Sequence, residues 1–213
     1  MTTEPAQVTL VRGIDVSSAQ PRDLTALFQK VNGILMDPIK HVVVKLYLPV
    51  ESIPQSWSLD QIDSARAHGC SVGGYVWCYR SEDPTATVNS AIDLAVSAGV
   101  DLPILWLDCE TYTVKGVVKD TGPDTAWLRQ AVAACVNRGV RAGVYSGSWW
   151  IEGWLKNYAE FTGLPLWSAQ YNHVDDLDSV IMPLGWPRES LAGHQYASDV
   201  VDLSVFDSTF TGS

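Results

Sequence analysis

Two carboxylates, Asp108 and Glu110, flank Cys109 at the end of the apolar run 103–107. The run predicts a buried strand, in which side chains alternate between faces and each residue advances the chain by about 3.3 Å. Asp108 and Glu110 are therefore predicted to share one face, with Cα atoms roughly 7 Å apart, while Cys109 faces the other way. Two crowded carboxyls can take different roles, because one holds its proton near neutral pH while the other stays ionised. Acid-assisted cleavage of a glycosidic bond needs such a pair.

The elements that must position this pair alternate between strands and helices. Strand-like apolar runs occupy 13–17, 41–48, 71–79, 103–110, 141–147, 165–171 and 192–197, with a weaker candidate at 179–182. Helical apolar spacing occupies 23–35, 58–68, 84–98 and 124–138. This alternation is typical of a parallel sheet, and eight strands favour a (β/α) barrel over an open sheet. No glycine-rich phosphate fingerprint follows the first strand, which argues against a dinucleotide-binding domain.

Cap residues mark the ends of the predicted helices. Ser58 and Asp83 are predicted N-caps, and Pro84 suits the first helical position. The glycines predicted to end helices are Gly69, Gly99 and Gly139. Glycine is common at such positions because it tolerates the left-handed backbone conformation that closes a helix.

The predicted barrel brings further acids to the same end. Asp15 lies in the first strand and Asp202 lies just past the last one. The longest irregular stretches are 49–57, 111–122 and 172–190, of which the first two directly follow strands. Loops after the strands form the C-terminal mouth of a barrel, where such folds keep their sites. We therefore expect all four acids, Asp15, Asp108, Glu110 and Asp202, at that mouth.

Length and composition limit the classes of protein. The 213 residues, 46% of them hydrophobic, predict one large domain, with a short extension at 1–10 and the barrel at 11–213. A net charge of -10 argues against a nucleic-acid partner, since phosphate binding needs clustered cations. No run approaches the ~18 apolar residues of a membrane helix, and the N-terminus lacks signal-peptide features. We expect a cytoplasmic product that does not act at a membrane.

Cysteines and histidines indicate no metal or redox site. The four cysteines, which are Cys70, Cys78, Cys109 and Cys135, lie in apolar surroundings without CxxC spacing. They are predicted to be buried free thiols. No histidine or cysteine cluster has ligand spacing, so we expect neither a metal nor another cofactor.

Several short motifs together resemble a known family. They are GIDVS at 13–17 with Gln20, DCE at 108–110, GVYSG at 143–147, LWSAQY at 166–171, and QY at 195–196 followed by VDLSVF at 201–206. In this order they resemble the motifs of glycoside hydrolase family 25, the Chalaropsis-type lysozymes, over residues 12–210. The resemblance implies a modified TIM-type (β/α)5(β)3 barrel. It also implies an N-acetylmuramidase that cuts the β-1,4 bond between N-acetylmuramic acid and N-acetylglucosamine in peptidoglycan.

The resemblance also implies roles for the acids. Glu110 matches the general acid that protonates the leaving oxygen. Asp108 matches its partner, for which two roles stay open: a nucleophile, or a carboxylate that stabilises the substrate's own N-acetyl group as it attacks. The second is favoured, and both lead to net retention. Asp15 and Asp202 match further acids that order Asp108 and the sugar by hydrogen bonds.

Aromatic residues near the strand ends are candidates for binding sugar. Flat indole faces suit the apolar faces of sugar rings, and Trp77, Trp167 and Tyr171 are the best placed. Further candidates that could hydrogen-bond the substrate or the carboxylates are Tyr79, Tyr145, Tyr196 and Gln195. The cluster Trp149, Trp150 and Trp154 is instead predicted to serve helix packing.

Two departures from the family pattern keep other functions open. Leu48 stands where the family often has an acid, unless Glu51 compensates, and His194 stands where it often has tryptophan. The leading interpretation is an endolysin or virion-borne lysin that reaches the wall after lysis or injection, targeted by the barrel, a partner chain or a virion assembly. The alternatives are a weakened barrel that binds glycan or serves a virion structurally, and an enzyme for another N-acetylated glycan.

Overall fold

Eight strands close into a barrel in the computed structural model, which describes residues 9–35, 37–46, 54–198 and 200–212. Their bounds are β1 Leu10–Val16, β2 His41–Lys45, β3 Ser71–Trp77, β4 Ile104–Asp108, β7 Arg141–Ser146, β8 Leu166–Ala169, β9 Leu191–Ser198 and β10 Asp202–Asp207. Neighbours from β1 to β9 run parallel, whereas β10 closes the barrel antiparallel to both β9 and β1.

Five helices follow the first five barrel strands. They are α1 Thr25–Asn32, α2 Ser56–Ala67, α3 Pro84–Ser97, α4 Thr125–Asn137 and α5 Ser148–Trp154. Along 166–198 and 200–207 the last three strands succeed one another without an α-helix. The predicted single-domain (β/α)5(β)3 barrel is therefore confirmed. Within the described residues, no helix has the length and apolar character needed to cross a membrane.

Two predicted details of the strands are wrong. The eighth strand is β10, whereas 179–182 forms no strand, because the side-chain amide of Gln170 bonds the carbonyl of Ser179 and the N–H of Ile181. The stretch 111–122 is not irregular. It contains a hairpin of β5 (Tyr112–Val114) and β6 (Val117–Asp120), inserted between β4 and α4.

The helix caps follow the sequence with one exception. Asp83 accepts a hydrogen bond from the N–H of Ala86, with Pro84 at the first helical position. The predicted helix-ending glycines Gly69, Gly99 and Gly139 all have positive φ. Ser58 is wrong as an N-cap, since α2 begins at Ser56. The Ser58 hydroxyl is buried and donates instead to the Lys45 carbonyl at 2.6 Å, which ties α2 to the end of β2.

Strand alternation divides the core into two layers. Residues that point into the barrel include Val43, Tyr75, Ile104, Trp106, Tyr145, Trp167, Ala192 and Phe206. Leu105, Leu107 and Cys109 instead pack into the layer that contains the helices. Ile104 and Trp106 thus face inward along β4, and Asp108 continues the same face at its end. All four cysteines are free and buried, as predicted.

Candidate active site

One cavity opens at the C-terminal ends of the parallel strands. Its lining residues are Asp15, Ser17, Gln20, Tyr75, Trp77, Asp108, Glu110, Tyr145, Trp167, Tyr171 and Asp202. The list contains all four predicted acids, although they lie far apart in the chain. Asp108 and Glu110 both face the cavity while Cys109 is buried in the outer layer, as their spacing predicted.

Strand register explains how the acids meet. Asp108 is the last residue of β4, beside Trp77 on β3 and Tyr145 on β7. Asp15 lies directly opposite Asp202 on the antiparallel pair β1 and β10. Asp202 is thus the first residue of a strand, rather than a residue past the last one. Because β10 runs against its neighbours, its start lies at the end where the other strands finish.

Burial raises the pKa of every acid in the cluster, and repulsion from a neighbouring carboxylate adds to the rise for Asp15, Asp108 and Glu110. Burial is the main cause for Asp15 and Asp108, whose pKa values lie well above the usual range, with added repulsion from Asp202 and Glu110 respectively. Burial also raises the pKa of Asp202. Burial and the charge of Asp202 raise the pKa of Glu110 to about 7. Glu110 can therefore both hold and release a proton near neutral pH.

An amide connects Asp15 to two tyrosines. The side-chain N–H of Gln195 donates to Asp15 at 2.8 Å. Its carbonyl oxygen accepts from the hydroxyl of Tyr145 at 2.8 Å and from that of Tyr171 at 2.7 Å. A carboxyl that accepts a hydrogen bond in a buried place is held in one orientation. The network therefore fixes one wall of the cavity across β1, β7, β8 and β9.

A buried cation lies near Asp108, and two buried polar atoms of this region have no hydrogen-bond partner. The Lys45 ammonium lies 5.2 Å from the centre of the Trp77 ring, and its charge opposes the rise in the pKa of Asp108. Asp108 Oδ1 and Trp77 Nε1 are buried, and neither makes a hydrogen bond. An unsatisfied buried polar group is costly, so this acceptor and this donor on neighbouring strands are suited to a polar ligand.

Three aromatic rings pack together on the β3 side of the cavity. Tyr79 stacks on Trp77 with ring centres 6.0 Å apart, and Tyr112 of the hairpin meets Trp77 edge-on at 5.8 Å and Tyr79 at 5.4 Å. Trp77 lines the cavity, whereas Tyr79 is buried behind it. The structure thus places Tyr79 as support for Trp77 rather than at the cavity surface.

The other predicted substrate-binding residues fall into three groups. Trp77, Tyr145, Trp167 and Tyr171 line the cavity. Gln195 reaches it through Asp15 and the two tyrosines. Tyr196 does not reach it, because adjacent residues of a strand face opposite ways. Its side chain belongs to a small buried cluster with Val205, apart from the residues that line the cavity.

Of the two departures from the family pattern, only His194 lies within the described residues, and it does not line the cavity. Both ring nitrogens of His194 face main-chain oxygens, those of Asp176 at 2.6 Å and Gln170 at 2.9 Å, so this imidazole fastens the 170–176 segment. Leu48 and Glu51 lie outside the described residues.

Sequence reasoning missed several residues of the site. Ser17 and Gln20 belong to the first motif, and Tyr75 precedes Trp77 by two residues, so strand alternation was sufficient to find Tyr75. Lys45 and Tyr112 carried no signal, since their positions depend on neighbouring strands. The predicted packing role is confirmed for the fully buried Trp150, but it is wrong for Trp149 and Trp154, which are 64% and 52% exposed. Within the described residues, no group of three His, Cys, Asp or Glu is arranged to hold a metal ion.

A protein-family model matches most of the chain. The model of glycosyl hydrolases family 25 matches residues 14–205. Counting factor 45-1 of Dictyostelium discoideum is 30% identical over 141 residues, which is 64% of this chain and 45% of that protein.

Comparison with solved structures gives the same architecture. The modular autolysin LytC from Streptococcus pneumoniae has a TM-score of 0.67 at 19% identity, covering 92% of this chain and 46% of its own. The multimodular pneumococcal cell wall endolysin from phage Cp-1 has a TM-score of 0.62 at 16% identity, covering 94% and 54%. An uncharacterized protein of B. stearothermophilus has a TM-score of 0.64 at 20% identity, covering 94% and 97%. The chain thus spans about half the length of LytC, of the endolysin and of counting factor 45-1.

Proposed function

This chain belongs to glycosyl hydrolases family 25, and from that premise we propose that it hydrolyses bacterial peptidoglycan. The observation that carries the proposal is the convergence of Glu110 and Asp108 on one cavity, where Glu110 has a pKa of about 7 and one Asp108 oxygen has no partner. Two structural relatives support the choice of substrate. LytC was solved with a synthetic peptidoglycan ligand, and the Cpl-1 endolysin with a peptidoglycan analogue.

The bond proposed for cleavage is the β-1,4 linkage between N-acetylmuramic acid and N-acetylglucosamine. Glu110 gives its proton to the leaving oxygen as the bond from that oxygen to the anomeric carbon breaks. Glu110 suits this role better than Asp108, because Asp108 is only 3% exposed and lies deeper, beside the Lys45 ammonium. The carboxyl nearer the opening is the one that an incoming glycan meets first.

The proposed partner in the step is the acetamido group of the substrate. Its carbonyl oxygen attacks the anomeric carbon while its N–H donates to Asp108 Oδ1, the buried acceptor without a partner. Asp108 acts here in its ionised form, which the charge of Lys45 favours, and this carboxylate offsets the positive charge that develops on the five-membered ring. Water opens this ring with Glu110 acting as the base. Two displacements at one carbon give net retention.

The first experiment compares the wild type with Glu110→Gln on purified peptidoglycan and identifies new reducing ends. We expect wild type to release muramic-acid reducing ends and the variant to lose about 10²-fold to 10⁴-fold in rate. Glu189→Gln is the matched control, since Glu189 is exposed and outside the cavity lining. A wild type that binds the glycan without releasing reducing ends supports the alternative of a glycan-binding barrel and overturns the proposal.

A second experiment separates the two roles of Asp108. Asp108→Asn is assayed on glycans with and without the N-acetyl group at the cleaved sugar. If Asp108 stabilises the acetamido group, wild type loses most of its rate on the deacetylated glycan, where the substitution then adds little. A nucleophilic Asp108 predicts that wild type cuts both glycans and that the variant cuts neither. Product analysis by NMR tests retention, and inversion would exclude both roles.

A further inference from the structure

An exposed tryptophan stands beside the cavity without a role in the proposed cleavage. Trp149 is the second residue of α5 and is 64% exposed. A Cβ at Gly147 would stand 2.5 Å from its Nε1 and 2.8 Å from its Cδ1. Only glycine leaves room for the indole to rest on the main chain there. The backbone thus supports this ring from one side, while most of its surface stays open.

This indole lies between the mouth ends of β7 and β8. Gly147 directly follows β7, two residues after Tyr145, which lines the cavity. The same Cβ position is 3.4 Å from the carbonyl oxygen of Ala169, the last residue of β8. Two residues further, Tyr171 lines the cavity, is 55% exposed and bonds Gln195. Trp149 is not a lining residue itself, but it lies at the same strand ends as the lining residues Tyr145 and Tyr171.

The loop after β8 adds a further exposed apolar side chain at this end of the barrel. Ile181 is 71% exposed, and its N–H donates to the side chain of Gln170, which directly follows β8. Glu152, one helical turn after Trp149, accepts the N–H of Leu184 at 2.9 Å and so fastens this loop to α5. We call the exposed surface of Trp149, Tyr171 and Ile181 the β8 rim.

We propose that the β8 rim is a second sugar-binding subsite, which stacks one further pyranose ring of the same glycan on Trp149. The inference rests on the proposed function and adds a preference for longer strands. An indole supported on one side and open on the other suits the apolar face of a sugar ring. Exposed apolar surface close to a polar cleft is typical of a binding surface. The acids and the subsite then hold different sugars of one strand.

Footprinting in solution tests the contact directly. Glu110→Gln protein, which leaves the glycan uncut, is oxidised with and without saturating peptidoglycan oligosaccharides of increasing length, and each tryptophan is followed by mass spectrometry. We expect longer oligosaccharides to protect Trp149 about 5-fold more than the shortest that binds. Trp154 is the internal control, because it is 52% exposed at the other end of α5, where Lys156 meets Thr125 of α4. Equal oxidation of Trp149 at every length, or equal protection of both residues, overturns the proposal.

Steady-state kinetics test the predicted preference for longer glycans. We expect Trp149→Ala to lower the ratio of kcat/KM for long glycans to that for the shortest cleaved one by about 5-fold to 10-fold, the equivalent of one stacked ring. Trp149→Phe should recover part of the ratio, and Trp154→Ala should leave it unchanged. An unchanged ratio in Trp149→Ala overturns the subsite while cleavage persists. Failure of the proposed function differs, since wild type then cuts no glycan of any length.

Discussion

At the scale of single residues, Gln195 orients Asp15 and two tyrosines of the site, although it does not line the cavity. Its carbonyl oxygen accepts two tyrosine hydroxyls, so its NH2 group is left to face Asp15. Asp15 stands opposite Asp202, where two ionised carboxylates would repel. The bond from Gln195 lowers the pKa of Asp15 against the larger effect of burial. The amide therefore sets both the orientation and the proton affinity of this acid.

The two tyrosines are expected to act as one unit. In Tyr145→Phe or Tyr171→Phe the remaining hydroxyl still fixes the amide, so we expect kcat/KM on peptidoglycan to fall only about 3-fold in each. The double variant releases the amide and should show a coupling of about 1 kcal/mol in a double-mutant cycle. Tyr158→Phe, in a short 3-10 helix outside the cavity lining, is the control. Strictly additive effects would mean that each tyrosine contacts the substrate independently.

At the scale of elements, glycines make space for the aromatic core. A Cβ at Gly143 of β7 would stand 2.5 Å from a carbon of the Trp106 ring and 2.6 Å from Ile104. Both neighbours are buried inside the barrel and have no free space to move into. We expect Gly143→Ala to lower the free energy of unfolding by about 1–3 kcal/mol in urea titrations.

Gly153→Ala is the matched control for this substitution. Gly153 lies in α5, and a Cβ there would meet nothing within 4 Å. Alanine favours a helix over glycine by up to about 1 kcal/mol, so this variant should be as stable as wild type or more stable. Equal destabilisation by both substitutions would contradict the packing argument.

The acids at the end of β4 were predictable, whereas the closing strand and the hairpin were not. Alternation within one strand places Asp108 and Glu110 on the same face, and that rule needs no tertiary information. Asp202 reaches the mouth only because β10 runs antiparallel, and strand direction is set by partners far away in the chain. The hairpin turns at Lys115 and Gly116, both with positive φ, and a lysine there gives little turn signal. Lys45 and Tyr112 join the site through those same distant contacts.

At the scale of the whole molecule, the buried acids of the site lower the stability of the fold when they ionise. Burial favours the protonated acids, so raising the pH through their folded pKa values ionises them at a cost in stability. His41 has the opposite effect. It is 1% exposed, and burial lowers its pKa to about 4. The stability that the neutral ring contributes is therefore fully present above the unfolded pKa of 6.5, and it is lost as the pH falls towards 4. Stability should therefore decline on both sides of a maximum.

Removing the charge of Glu110 should flatten the alkaline side of this profile. Its pKa is raised from 4.5 to about 7, so its stabilising effect is complete below pH 4.5 and is lost as the pH rises through 7. Glu110→Gln cannot ionise. The excess stability of this variant over wild type should grow from near zero at pH 4.5 to at most about 3 kcal/mol at pH 8.

Urea unfolding at a series of pH values measures this difference. Glu189→Gln is again the control, since Glu189 is exposed and its substitution should change stability equally little at every pH. A difference between Glu110→Gln and wild type that does not vary with pH would mean that Glu110 ionises alike in the folded and unfolded chains. The raised pKa that fits Glu110 for proton transfer would then be absent from the free protein. If instead the difference grows with pH, the same measurement gives the cost in stability of keeping the proposed general acid buried.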